Sequence, residues 1–119
     1  MEEIKDNDYI RTKQGTIVRI KDTEFDICFN LAGQVLYKNW ICGKCFYEEI
    51  VKHSKNIIDL IEAGDYVNGK LIHKIDKRPN YCYLYYGNCK TFVDYQIKNI
   101  VTRERFARES YKVEEGQDV

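Results

Sequence analysis

Apolar and polar residues alternate along most of this chain, which makes short, half-buried β-strands the dominant element it can form. Asp8-Tyr-Ile-Arg-Thr-Lys13 alternates, Gln14-Gly15 offers a turn, and Thr16-Ile-Val-Arg-Ile20 returns, which is the pattern of a β-hairpin. Phe25, Ile27, Phe29 and Leu31 then fall on one face of a further strand, and Ala32-Gly33 turns the chain into Gln34-Val-Leu-Tyr37. The first third therefore reads as a meander. Tyr81-Cys-Tyr-Leu-Tyr-Tyr86 carries the clearest strand signal, Gly87-Asn88 turns it into Lys90–Val93, and Gln96–Val101 makes another strand.

Two similar openings divide the pattern. Asp8-Tyr9-Ile10 and Asp65-Tyr66-Val67 are each followed by a glycine and an aliphatic strand, Thr16-Ile17-Val18 after Gly15 and Lys70-Leu71-Ile72 after Gly69. The gaps to the glycines differ, so shared turn chemistry explains the echo better than duplication does. Between the openings, Ser54 is placed to cap a helix through Glu62, with Gly64 at its end. Thr102 is placed to cap a second helix, Arg103–Glu109. Residues 38–52 are harder to place. The Cys-Gly-Lys-Cys between Ile41 and Phe46 argues for a loop, with a short strand at Ile50-Val51.

The expectation is a mainly β (α+β) chain of two small antiparallel β units, SH3-like or barrel-like. One short central helix and one short C-terminal helix complete it. At 119 residues it is one domain, large enough for a modest core. Its parts are an N-terminal β half at 8–52, a helix at 53–64, a C-terminal β half at 65–113 ending in a Tyr111–Val113 strand, and a mobile tail at 114–119. A single proline and ten tyrosines suit regular, pleated, half-wet surfaces.

Lysine plus arginine and aspartate plus glutamate are each 19, so the net charge is zero. With a pI near 6.7, the chain lacks the broad basic footprint of many nucleic-acid-binding domains. The start, Met1-Glu2-Glu3-Ile4-Lys5-Asp6, has neither the basic nor the apolar part of an export signal, and no apolar run could span a bilayer. A cytoplasmic setting follows as the expectation, with the five cysteines as thiols or metal ligands.

Three constellations could carry chemistry. Cys42 and Cys45 have the spacing of a zinc knuckle, and Cys82 with Cys89 could complete four thiolates, although their separation is wider than usual. His53 and His73 are far apart in sequence with no obvious carboxylate to orient them, and no nucleophile elbow, phosphate loop or paired-carboxylate motif supports catalysis. Arg103, Arg105 and Arg108 form a basic cluster, and Lys70, Lys74, Lys77 and Arg78 form another. Tyr81, Tyr83, Tyr85 and Tyr86 are available as stacking platforms. Glu104 and Glu109 partly neutralise the first cluster, and alternating tyrosines equally suit packing in a sheet.

Residues 53–69 and 97–106, together with Asp-Tyr-Ile-Arg-Thr-Lys at 8–13, resemble segments of small uncharacterised phage and prophage proteins of Firmicutes. The Cys-Gly-Lys-Cys is not part of that pattern. The resemblance implies a non-enzymatic, phage-derived protein in the bacterial host cytoplasm, docking on a host protein and inhibiting a defence system such as a CRISPR effector. Tyrosine and arginine recur at interface hot spots, which makes Arg103, Arg105, Arg108, Tyr81, Tyr83 and Tyr85 the interaction candidates. An SH3-like nucleic-acid-binding module and a small zinc-binding module are the alternatives.

Overall fold

The computed structural model describes residues 3–88 and 90–109. Its first sheet holds β1 (Tyr9–Thr12), β2 (Ile17–Arg19), β3 (Ile27–Phe29), β4 (Val35–Ile41) and β5 (Lys44–Ser54), in the order β2-β1-β5-β4-β3. The rest of the chain forms β6 (Tyr66–Val67), β7 (Lys70–Leu71), β8 (Lys74–Lys77), β9 (Cys82–Tyr86), β10 (Lys90–Phe92) and β11 (Ile100–Val101). These make two three-stranded sheets, β11-β6-β7 and β10-β9-β8. All the pairings are antiparallel. Helices α1 (Thr23–Asp26) and α2 (Arg103–Glu109) are short, and single 3-10 turns occupy Ile57–Leu60 and Asp94–Gln96.

The mainly β reading therefore holds, as three sheets rather than two units. Two buried clusters organise them. Ile10, Ile20 and Ile50 fill one, and Ile58, Ile61, Val67, Ile72, Cys82 and Leu84 fill the other. Both Asp-Tyr openings enter their clusters through the same turn. Asp8 Oδ2 accepts the N–H of Lys5 while its own N–H donates to Lys5 O, and Asp65 repeats both bonds with Glu62. Ile20 N–H then donates to Asp8 O, and Ile72 N–H donates to Asp65 O, each at 2.8 Å. Beyond the turns the hairpins diverge. Asn68-Gly69 closes β6 on β7 in two residues, whereas β1 needs a longer connection to β2.

Three expectations need correction. The Cys-Gly-Lys-Cys is not a loop but a two-residue turn running into a strand, because Cys42 and Gly43 both take left-handed φ (51° and 78°) and close β4 on β5 directly. β5 then runs eleven residues, past the expected domain division at 52. Its pairing with β1 (Ile10 opposite His53, Tyr9 opposite Ser54) takes the residues expected to start the central helix. Ser54 Oγ instead accepts the Asn56 N–H and donates to Asp59, and only the turn Ile57–Leu60 is left of that helix. Ile58, Leu60 and Ile61 are buried all the same. Finally, residues 23–26 coil into α1, so β3 starts at Ile27, and Phe25, Phe29 and Leu31 are exposed instead of sharing a packed face. Thr102 does cap α2, its Oγ1 accepting the Arg105 N–H at 3.4 Å. The Tyr111–Val113 strand and the tail at 114–119 lie outside the described residues.

Candidate functional site

The most densely bonded polar group is structural. Arg11, fully buried in β1, donates through Nη1 to Leu60 O at 2.9 Å and to Asp65 Oδ2. Its Nη2 reaches Asp65 Oδ1 at 3.0 Å and both Glu104 oxygens at 2.8 and 2.9 Å. Burial disfavours the guanidinium charge, but Asp65 and Glu104 outweigh it and raise the Arg11 pKa. Asp65 also accepts the N–H of Arg103 at the start of α2. One ion cluster thus ties the first sheet, β6 and α2 together.

The exposed chemistry lies elsewhere, on the ribbon formed by β4 and β5. Its register puts Tyr37 opposite Glu48, Asn39 opposite Phe46 and Ile41 opposite Lys44, all on the face that packs on Ile10 near the ribbon's base. Lys38 opposite Tyr47 and Trp40 opposite Cys45 occupy the other face. At the free end the apolar side chains lie in water on both faces. Trp40 is 65% exposed, Tyr47 57%, Ile41 51% and Phe46 48%. Single exposed apolar residues are ordinary, whereas four at the end of one hairpin, two on each face, are not.

A cleft of about 640 Å³ opens on the inner face of the ribbon. Asn39, Ile41 and Phe46 line one side; Gln14 and Thr16 of the β1–β2 connection and Arg105 and Arg108 of α2 line the other. Arg108 Nη1 donates to Gln14 O at 3.1 Å. Glu48 forms the floor. Its Oε1 accepts from Thr12 (2.8 Å) and Thr16 (2.6 Å), and its Oε2 accepts from Asn39 (2.5 Å). Burial raises the Glu48 pKa, but these bonds, with the Arg108 charge, hold it below the usual carboxylate range.

The structure separates the other expected site residues. Arg105 and Arg108 reach the cleft, but Arg103 is turned away, bonded to Glu62 Oε1 and Ala63 O. Tyr81, Tyr83 and Tyr85 line up on the outer face of β9, with centroids 4.9 and 6.5 Å apart, while Tyr86 stacks on Phe92 at the inner cluster. Of the second basic cluster, Lys77 pairs with Asp59 and Arg78 with Asp76, whereas among the described residues no ion pair engages Lys70 or Lys74. Cys42 and Cys45 sit at the tip of the ribbon, and Cys82 is in the core of the C-terminal half. Cys89 lies outside the described residues, among which no three His, Cys, Asp or Glu side chains are arranged to hold a metal. His53, expected to lack an orienting carboxylate, places Nδ1 3.2 Å from Asp8 Oδ2. His73 Nε2 donates to Gly87 O at 3.0 Å.

Sequence pattern alone does not mark the ribbon residues Trp40, Ile41, Phe46 and Tyr47 as a site, because Cys42-Gly43 has the composition of a loop. The available signal was the run from Lys44 to Val51, apolar enough for a strand once a two-residue turn precedes it. No protein-family model, curated protein or solved structure matches this chain. No helix among the described residues is long and apolar enough to cross a membrane.

Proposed function

We propose that this protein is a non-enzymatic binding module that docks on another protein through the free end of the β4–β5 ribbon. The observation that carries the reading is the exposure of Trp40, Ile41, Phe46 and Tyr47 on both faces of one hairpin. None of them belongs to either buried cluster, so their burial is left to a partner. Tryptophan and tyrosine dominate interface energetics, and Arg105 and Arg108 at the cleft add the third favoured residue type. Glu48 suits a binding floor better than a proton donor, because its carboxylate is held ionised and its bonds to Thr12, Thr16 and Asn39 are internal. The resemblance to phage and prophage proteins makes a host protein the expected partner, a defence effector among the candidates.

The finer fold reading belongs with this proposal. The C-terminal half is an SH3-like module, a reading supported by short antiparallel strands around Val67, Ile72 and Leu84 and by a 3-10 turn just before the last strand. Such a module leaves the ribbon of the first sheet as the distinctive feature of the chain.

Affinity capture from host lysate tests the docking. The full-length protein should retain a stoichiometric protein partner, and Trp40→Ala with Phe46→Ala should weaken that retention by about 30-fold or more at an unchanged melting temperature. Failure to retain any stoichiometric protein, or equal retention by the double variant, would sink the proposal.

A further inference from the structure

We propose that the C-terminal half carries a single-stranded nucleic-acid surface, made by the tyrosine ladder of β9 and a group of lysines at its Tyr85 end. It is separate from the ribbon and stands or falls independently of the docking reading.

The ladder follows from the register. Cys82 and Leu84 point into the core, so Tyr81, Tyr83 and Tyr85 share the opposite face of β9. Tyr81 is half exposed, and Lys74, directly opposite Tyr85, holds its ammonium 5.4 Å from that ring's centroid. Past this end of β9, on the Tyr86 face of the sheet, opens a groove of about 420 Å³ lined by Lys70, His73 and Lys90, with no carboxylate among its lining residues. His73 joins the two features: its N–H donates to Tyr85 O, and its ring bonds to Gly87 O across the groove. Lys98 adds a further exposed cation, its backbone N–H donating to Asn68 Oδ1 in the turn that precedes Lys70.

Zero net charge hides this concentration. Lys52, Lys55, Lys77, Arg78 and Arg103 each sit against a carboxylate. Among the described residues no ion pair engages Lys70, Lys74, Lys90 or Lys98. Asp76, on the ladder face, is neutralised by Arg78 through two hydrogen bonds of 2.9 and 3.3 Å. A row of rings ending in unpaired cations fits a chain that offers flat bases and phosphates at a regular spacing. A duplex hides its bases from the rings, and an acidic peptide would use the lysines without needing the rings.

Fluorescence anisotropy of the full-length protein with labelled oligothymidylate of about twelve nucleotides tests the proposal. The logarithm of affinity should fall with the logarithm of salt with a slope of about −3, as expected when four lysines release counterions from a single strand. Lys70→Glu with Lys90→Glu should weaken binding and flatten the slope. Tyr83→Ala should weaken binding about tenfold with the slope unchanged. Trp40→Ala with Phe46→Ala should change neither, which keeps this surface distinct from the ribbon. Circular-dichroism melts check that each variant folds, and Tyr81→Ala replaces Tyr83→Ala if the latter does not. No binding at about 50 mM salt, a slope unmoved by the lysine reversals, or equal affinity for duplex DNA overturns the proposal. Polyglutamate bound as tightly, and indifferent to the tyrosine substitution, assigns the surface to an acidic protein and overturns it too.

Discussion

Asp8 and Asp65 begin as the same residue in the same turn and end with different partners. Asp8 takes His53 and Lys55 at its rim, both local to the first sheet, while Asp65 takes Arg11 from 54 residues away and the start of α2. The difference governs what each is worth. An exposed pair contributes little, whereas removing one member of a buried pair leaves an uncompensated charge in low dielectric. Asp65→Asn should therefore cost about 3–5 kcal/mol in urea unfolding. Arg103→Ala, which breaks an exposed bond to Glu62, should cost about 1 kcal/mol or less. Similar losses for the two would mean that the Arg11 cluster does not hold the halves together. The strand carrying Arg11 was legible in the alternation of residues 8–13. Its burial was not, since alternation places Arg11 on the face opposite Ile10, and its partners come from the segment Leu60–Asp65 before β6 and from α2.

At the level of elements, glycine positions separate docking from mere turning. Gly15 has φ +89°, and a Cβ there would stand 2.3 Å from Thr102 Oγ1 and 2.8 Å from Glu104 Cβ. Thr102 Oγ1 also donates to Gly15 O at 2.6 Å, so the β1–β2 connection is the seat of α2. Gly43, at φ +78° on the ribbon tip, has open space around it. Gly43→Ala should cost only the left-handed backbone penalty, about 1 kcal/mol. Gly15→Ala adds displacement of α2 and should cost about 3 kcal/mol or more in the same denaturation assay. Equal costs would show that α2 does not rest on this turn. The β1–β2 hairpin, the β9–β10 hairpin and α2 could all be read from local signals, namely alternation, Gln14-Gly15, Gly87-Asn88 and the Thr102 cap. The β4–β5 ribbon could not, because a non-glycine residue, Cys42, takes the first left-handed position of its turn. The central helix failed for the opposite reason: Ser54 and the isoleucines have helical spacing, but pairing with β1 extends β5 through Ser54. The tyrosine ladder was visible as a pattern, but not the carboxylates that remove Lys77 and Arg78 from its surroundings.

Over the whole molecule, buried and half-buried carboxylates set the conditions under which these surfaces exist. Burial opposes ionisation of Asp8, Glu48, Asp59 and Glu62, yet each is held below its usual range. Backbone and Lys55 contacts outweigh burial at Asp8, hydroxyl and amide bonds at Glu48, Ser54 and Lys77 at Asp59, and Lys52 with Arg11 at Glu62. A carboxylate whose folded pKa is depressed leaves the unfolded chain binding more protons in acid. The stability it contributes is complete above the ordinary values, 4.5 for glutamate and 3.8 for aspartate, and is lost as pH falls through the folded values. Tyr37 acts at the other end: burial, with Asp26 and Glu48 nearby, raises its pKa above 10.0, so stability is present below that value and declines as pH rises past it. The melting temperature should accordingly form a plateau between about pH 6 and about pH 9 and fall on both sides. Glu48→Gln separates this linkage from general acid effects. The variant should melt below the wild type at about pH 7, and the gap should narrow as pH falls through the depressed folded value, where the wild-type carboxylate also takes up its proton. A gap that stays constant across that range would mean that Glu48 contributes through shape and not through its charge. The cleft floor would then not be the ionised, hydrogen-bonded acceptor that the bonds from Thr12, Thr16 and Asn39 describe.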